Sequence, residues 1–268
     1  MYRLLIDHIT FMTIFLITAC TPVNNGYQNI SSITQREPGP DGMVQRFVPA
    51  GEFLMGSLPN DPNTEEDEKP QHAVYLEAFW IDQTEVTNRM YSMCIADGGC
   101  TKPVSTERDL FEKPDHPVRG VTWIQAQKFC QWSGRRLPTE AEWEKAAQGP
   151  DGQLYPWGDQ KPNADLTNFD FVINDILEVG KFSEGASAYR TYDMAGNVWE
   201  WVADWYADDY YKESPYRNPV GPGSGNRRVI RGGAWNTVEQ AIRSANRFWA
   251  FPGRDDFNGF RCAESEHD

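Results

Sequence analysis

DMAGNVWEWVADWY, residues 193 to 206, places three tryptophans and a tyrosine in a run that also carries Asp193, Asn197, Glu200 and Asp204. Aromatic side chains bring large buried area, and their polar edges need partners. Ala195 and Gly196 are small enough to let backbone carbonyls approach a shared point. A carboxylate, then carbonyls, then a glutamate seven residues on can cage a hard cation, since Ca²⁺ takes about six to eight oxygens. The same residues also read as core aromatic packing with incidental acids. The rest of the chain has to decide between these readings.

At 268 residues and 40% hydrophobic, the chain can bury one sizeable core and still carry a tail. Ten tryptophans, 18 prolines and 22 glycines point to many turns and irregular segments rather than a helical bundle. A formal net charge of −14 excludes nucleic acid as the expected partner. The acids are dispersed except for Glu65-Glu66-Asp67-Glu68, which reads as a solvated loop.

Residues 1 to 19 read as an export signal: Arg3 supplies a thin basic region, and Ile9 to Ala19 an apolar stretch too short to span a bilayer. The stretch ends Ile17-Thr18-Ala19-Cys20, which resembles a bacterial lipobox. Cys20 would then be lipidated and become the mature N-terminus, its acyl chains anchoring the protein to a membrane. An ordinary cleaved signal is the alternative. Thr21, in place of an aspartate, points to the outer membrane of the bacterial envelope. Residues 20 to 42 lack hydrophobic periodicity and read as a flexible tether.

The other four cysteines suit an oxidising compartment. Cys94 and Cys100 lie six apart around Asp97-Gly98-Gly99 and could close a short loop; a bridge from Cys130 to Cys262 would close a long one. Four cysteines allow three pairings, and no CxxC or histidine-rich spacing favours a zinc site.

From Met43 the chain reads as globular, over residues 43 to 268. Val44 to Met55 gives a strand, a turn at Pro49-Ala50-Gly51 and a second strand, and Ala73 to Ile81 alternates as a further strand. Three helices follow: Thr87 caps one running to Ala96, Thr122 a second to Ser133, and Thr139-Glu140-Ala141-Glu142 is a capping box opening a third that stops before Gly149. Beyond Gly149 come loops and short strands. The fold class is α+β with little regular secondary structure.

Eight segments in order carry a specific resemblance: Gly51 to Gly56 (GEFLMG), Thr84 to Asn88 (TEVTN), His116-Pro117-Val118, Arg136 to Trp143 (RLPTEAEW), Tyr155 to Gly158 (YPWG), Asp193 to Trp201 (DMAGNVWEW), Arg231-Gly232-Gly233 and Gly259 to Cys262 (GFRC). Together they resemble the formylglycine-generating enzyme family, the sulfatase-modifying factors, over residues 43 to 263. The resemblance implies a C-type-lectin-like α+β fold. It implies structural Ca²⁺ held by Asp193, Gly196, Val198 and Glu200, with side-chain oxygens from the acids and carbonyls from the middle pair. It implies a second calcium site at Asn168-Phe169, for which Asp170 and Asp175 compete as the acid. It also implies the Cys130–Cys262 disulfide.

The family's oxidases hold Cu(I) with two cysteine thiolates after the RGG motif. Counted without gaps, those positions are Thr237 and Ile242, and no cysteine lies between 130 and 262. Copper is therefore not expected, because no other side-chain pair replaces two thiolates for Cu(I). Related sulfoxide synthases add a helical half bearing iron-ligating histidines, for which four histidines in this chain leave no provision. The expected role is a non-catalytic envelope lipoprotein that binds a protein or glycan ligand. The alternative is a maturation enzyme of the same family with a non-standard site. The expected ligand face runs from Trp235 to Asn258, with Trp199, Trp235, Thr237, Arg243 and Arg247 as candidate contacts, unless the two arginines are buried ion-pair residues. A pocket near Trp199 and Trp235 with converging polar groups would mark an enzyme, and a flat or filled face a scaffold.

Overall fold

The computed structural model describes residues 35–36, 39–58, 61–103, 108–253 and 257–266. The signal stretch, Cys20 and most of the expected tether lie outside these residues. Among the described residues the strands are β1 (Gln45–Val48), β2 (Gly51–Met55), β3 (His72–Leu76), β4 (Phe79–Asp82), β5 (Trp199–Trp205), β6 (Arg228–Arg231), β7 (Phe248–Ala250), β8 (Asn258–Phe260) and β9 (Ala263–Ser265). The helices are α1 (Asn88–Ala96), α2 (Asp109–Glu112), α3 (Trp123–Trp132) and α4 (Glu140–Gln148).

Three of the helices start where a threonine side chain can accept an orphan N–H of the first turn. Thr87 accepts from Met90, Thr122 from Gln125 and Thr139 from Glu142. At Thr122 and Thr139 the capping box is reciprocal, Gln125 and Glu142 reaching back to the cap's own N–H.

The strands form three small sheets, ordered β1-β4-β9, β2-β3 and β7-β6-β5-β8. The expected single strand over Ala73–Ile81 is two: β3 pairs with β2, the chain breaks at Glu77-Ala78, and β4 pairs with β1 on one side and β9 on the other. One hydrophobic alternation thus serves two sheets.

The aromatic stretch supplies β5, which pairs antiparallel with β6 and parallel with β8. Alternate residues of a strand face opposite ways, and β5 uses both faces. Trp201 enters a core with Tyr91, Phe129, Cys130 and Phe260, while Val202 enters another with Trp143, Leu76, Phe53 and Met194. Each fully buried large side chain of this kind contributes about 1.5–3 kcal/mol. The strand is a spine between two cores.

Two bridges fix the Trp201 core: Cys94–Cys100 and Cys130–Cys262, with Cα–Cα separations of 5.3 and 5.6 Å. The expected tether also stops short of Met43. Asp41 is buried and ion-pairs with Arg135, whose guanidinium also meets Asp82 at 2.5 Å, and Gln35 bridges to Arg46.

Candidate functional site

The expected solvated loop at 65–68 is instead a 3-10 turn, Glu66–Glu68, that buries Asp67 and Glu68. The reason is charge compensation. Arg243 grips Glu68 with two nitrogens at 2.8 and 2.6 Å and donates to the Gln240 carbonyl at 3.0 Å. Arg247 donates to both oxygens of Glu140 at 2.7 and 3.0 Å and to the Asp67 carbonyl at 2.7 Å. Arg231, from the RGG motif, completes the set with Glu140 at 2.9 Å and Glu144 at 2.6 Å.

Arg243 and Arg247 are each 1% exposed. Their assignment as ligand contacts is therefore corrected: their donors are spent inside, under the loop they were expected to decorate. Burial alone would raise the Glu140 carboxyl, but Arg247 and Arg231 hold it below the ordinary range. Glu144 is pushed up by burial despite Arg231, and Asp204, buried beside Glu140, is pushed well up.

The loop before β5 turns on left-handed residues, Asp193 (φ 57°), Gly196 (φ 80°) and Asn197 (φ 61°). Aspartate and asparagine tolerate that region, and glycine suits it without cost. Gly196 has a second reason to be glycine: a Cβ there would lie 2.2 Å from the Asn168 carbonyl oxygen. The Asn168 carbonyl accepts from the Asn197 N–H at 2.9 Å, so the two expected calcium segments are stitched together.

Around this loop three carboxylates are buried: Asp193, Glu200 and Glu85. Glu200 accepts from Arg261 on both oxygens, at 2.6 and 2.7 Å, and from the Trp143 indole at 2.9 Å. Asp193 accepts from the Gly180 N–H at 2.5 Å. Glu85 accepts from Asn197 Nδ2 at 2.9 Å, while its other oxygen has no hydrogen-bond partner. Burial, then the negative charge of Asp193, drives the Glu85 carboxyl well up; burial also raises Asp193, with Glu200 adding to it.

These observations test whether the residues suit Ca²⁺. Three carboxylates face one guanidinium, a formal excess of two negative charges that a divalent cation would cancel. The orphaned Glu85 oxygen and one remaining acceptor site on Glu200 are oxygen donors of the kind calcium takes. Glu85 was not among the expected ligands; its place in the TEVTN segment was the only sequence signal for it. At the second expected site Asn168 is buried with an unpartnered Oδ1, and Phe169 is buried beside it. Asp175 accepts from Lys113 at 2.7 Å and turns only its carbonyl to Asn168, while Asp170 is exposed. Among the described residues no group of three His, Cys, Asp or Glu side chains is placed to hold a metal ion. A hard cation here would therefore depend on carbonyl and amide oxygens beside the carboxylates.

After β6 the glycines of the RGG motif let the chain fold back tightly. A Cβ on Gly233 would sit 2.6 Å from Ile242 and 3.0 Å from the Thr237 hydroxyl. Thr237 closes its own loop, its Oγ1 accepting from the Ala234 N–H at 2.9 Å and lying 2.8 Å from the Ala234 carbonyl. Ile242 is fully buried against Tyr155, Phe169 and Ala195. A hydroxyl engaged by backbone and an aliphatic side chain do not fit Cu(I), which selects soft thiolates.

Beside this loop lies a cavity of about 330 Å³, lined by Trp199, Thr237, Val238, Asn246, Phe248 and Glu65 among others. Trp199 stacks on Phe248 at 5.5 Å, and Phe248 on Trp249 at 6.0 Å, so an aromatic row leads away from it. The structure thus brings Trp199 and Thr237 together. Trp235 stands to one side, edge-on to Phe171 at 5.3 Å. The polar groups nearest the cavity are engaged elsewhere: Asn246 donates to Glu68 at 3.1 Å and Gln240 to the Asn63 carbonyl at 3.0 Å. Among the described residues no cysteine or histidine lines it.

Comparison with known proteins agrees with this geometry. The formylglycine-generating enzyme of Streptomyces coelicolor is 33% identical, the match spanning 85% of this chain and 92% of that protein. The serine/threonine-protein kinase pkn1 of Chlamydia caviae is 36% identical over 81% of this chain, which spans only 37% of that protein's length. The solved structure of PvdO from Pseudomonas aeruginosa superposes with a TM-score of 0.76 at 28% identity, covering 87% of this chain and 98% of that one. The fold is the C-type-lectin-like one of these neighbours, with few helices and small sheets. The sulfatase-modifying factor enzyme 1-like domain matches residues 31–266, nearly the whole described chain, and the protein belongs to that family.

Proposed function

We propose that this family member is a calcium-stabilised lipoprotein of the bacterial envelope, anchored through Cys20, whose domain binds a protein or glycan ligand rather than oxidising a cysteine with copper. The observation that carries the reading is the pair Thr237 and Ile242, one hydroxyl bonded within its own loop and one buried aliphatic chain. The cavity beside them argues for a ligand-taking face rather than a flat assembly surface. Its polar neighbours, already paired, argue for binding rather than proton or electron transfer. The aromatic row Trp199–Phe248–Trp249 offers the rigid apolar contacts that anchor such ligands.

The test is a turnover assay of the full chain with a Cys-x-Pro-x-Arg peptide, Cu(I), oxygen and a reductant, read by mass spectrometry. No aldehyde is expected. Copper-dependent turnover would overturn the reading and favour the alternative, an oxidising or maturation enzyme with a different ligand set.

Calcium carries its own expectation. A cation held only by the folded state, at about a hundred times its Kd, stabilises by about 2.7 kcal/mol. Chelation should then lower the melting temperature by about 5–10 °C. Asp193→Ala should remove most of that difference. An unchanged melting temperature on chelation would mean that Glu85 and Asp193 share a proton instead of a cation.

A further inference from the structure

A second cavity, of about 470 Å³, lies between α3, the Glu77-Ala78 break, the Asn218–Val220 loop and β9. None of the residues lining it belongs to the Thr237 cavity. Its floor is Trp123 and Leu137, Val220 stands exposed at the rim, and its polar wall includes Gln127, Gln131 and Asn218. Gln127 and Gln131 are four apart on α3, so their amides stand one turn apart on one face. No hydrogen bond is made by either side chain among the described residues. Asn218 spends its Oδ1 on the Glu77 N–H at 2.9 Å, leaving its amide donors to the cavity.

The charged groups of the wall are paired: Glu266 accepts from Arg36 at 3.3 Å and from the Trp80 indole N–H. Arg136 and Glu142 form a two-point pair at 2.6 and 2.7 Å, and Glu142 also closes the α4 capping box through the Thr139 N–H at 2.8 Å. Glu77 is held by Arg217 at 2.9 Å. A charged ligand would find no unpaired opposite charge here. A purely apolar one would leave three amides without partners, which costs binding. What suits the wall is a neutral molecule with many hydroxyls, each able to donate and accept.

Trp123 lines the cavity with little surface, being 6% exposed. Its indole N–H is already bonded to the Val202 carbonyl at 2.8 Å, and the Arg228 guanidinium lies 3.6 Å from the ring centroid. With the guanidinium over the ring and little surface exposed, the indole offers a ligand a small apolar contact and no stacking platform. The volume falls within the range of about 300–1,000 Å³ typical of small-ligand pockets.

We propose that this cavity is a binding site for an uncharged saccharide of one or two rings, with Gln127, Gln131 and Asn218 hydrogen-bonding its hydroxyls beside the apolar side chains of Leu137 and Val220. It is independent of the ligand face at Thr237.

The experiment titrates the full chain with maltose, cellobiose and diacetylchitobiose, following tryptophan fluorescence. One of the three is expected to give a saturable change with a Kd of about 0.1–1 mM. The double variant Gln127→Ala/Gln131→Ala sits on an exposed helix face where alanine favours the helix, and should weaken that binding by about tenfold or more. Val220→Arg, at an exposed rim position, should abolish it, whereas Thr237→Arg, which fills the other cavity, should leave it unchanged. The proposal is overturned if none of the three sugars saturates by about 10 mM, a level far weaker than useful recognition. It is equally overturned if binding survives both the double variant and Val220→Arg, or is lost with Thr237→Arg.

Discussion

Replacing Cys130 and Cys262 together by alanine is expected to cost about 5 kcal/mol, and replacing Cys94 and Cys100 about 2 kcal/mol. The difference follows from loop length: the first bridge joins residues 132 apart and the second residues 6 apart. A crosslink restricts the unfolded chain more when it closes a longer loop, and the gain grows with the logarithm of that length. Both pairs are buried, so the small cavities left by alanine are comparable and do not reverse the order. The long bridge also does positional work. Cys262 joins β8 to β9, its N–H donates to Asp82 at 2.8 Å, and β9 pairs with β4 next to that contact. Without the bridge, the C-terminal strand depends on three residue pairs with β4 and on the Arg136–Ala263 bridge. Thermal unfolding should fall by about 10–20 °C for the long-bridge variant. Equal losses for the two variants would show that strain or residual unfolded-state structure, rather than loop entropy, sets the stabilities.

Helix starts were legible in the sequence because a cap is a local device. Thr87, Thr122 and Thr139 each satisfy a donor three residues on, and no distant part of the chain can alter that arithmetic. Sheet membership was not legible in this way. Ala73–Ile81 alternates continuously, yet β4 finds one partner in β1 and another in β9, close to the C-terminus. The acidic run misled for the same reason: Glu68 looks solvated until Arg243, 175 residues later, arrives to pair with it. Glu85 went unassigned although its segment was singled out, since the Asn197 that orients it lies 112 residues away. The Thr237–Ile242 pair was readable because it needs only a short count from Gly233. Conversely, Arg243 and Arg247, which the sequence placed on the ligand face, belong to the interior because their segment folds back so that Arg243 meets Glu68 and Arg247 meets Glu140 of α4.

Arg247→Met is expected to be the most damaging single substitution in the C-terminal loop region, at about 3–5 kcal/mol. Methionine roughly matches the apolar stem of arginine, so the stem's packing is kept, while the guanidinium, whose carbon lies 4.1 Å from the Tyr211 ring centroid, is removed. What is lost is the two-point contact to Glu140, a carboxylate with 1% exposure. Arg231 still reaches one Glu140 oxygen at 2.9 Å, but it is shared with Glu144 at 2.6 Å and cannot neutralise both. Removing one partner of a buried pair leaves an uncompensated charge, which is why the cost exceeds the pair's net worth. Arg217→Met is the matched control: its pair with Glu77 is more than half exposed on both sides, and such pairs are worth about 0–1 kcal/mol. The pH dependence has a definite sign. Glu140 titrates below its ordinary value of 4.5 in the folded protein, so its contribution is fully present above that pH and is lost as pH falls through the depressed folded value. In Arg247→Met that depression shrinks. The variant's deficit against the parent should therefore be largest near neutrality and narrow in acid. Denaturant unfolding at pH 7 and pH 3.5 measures both arms. A deficit under about 1 kcal/mol at pH 7 would return Arg247 to the surface as a ligand contact, because a buried pair of this geometry cannot be removed so cheaply.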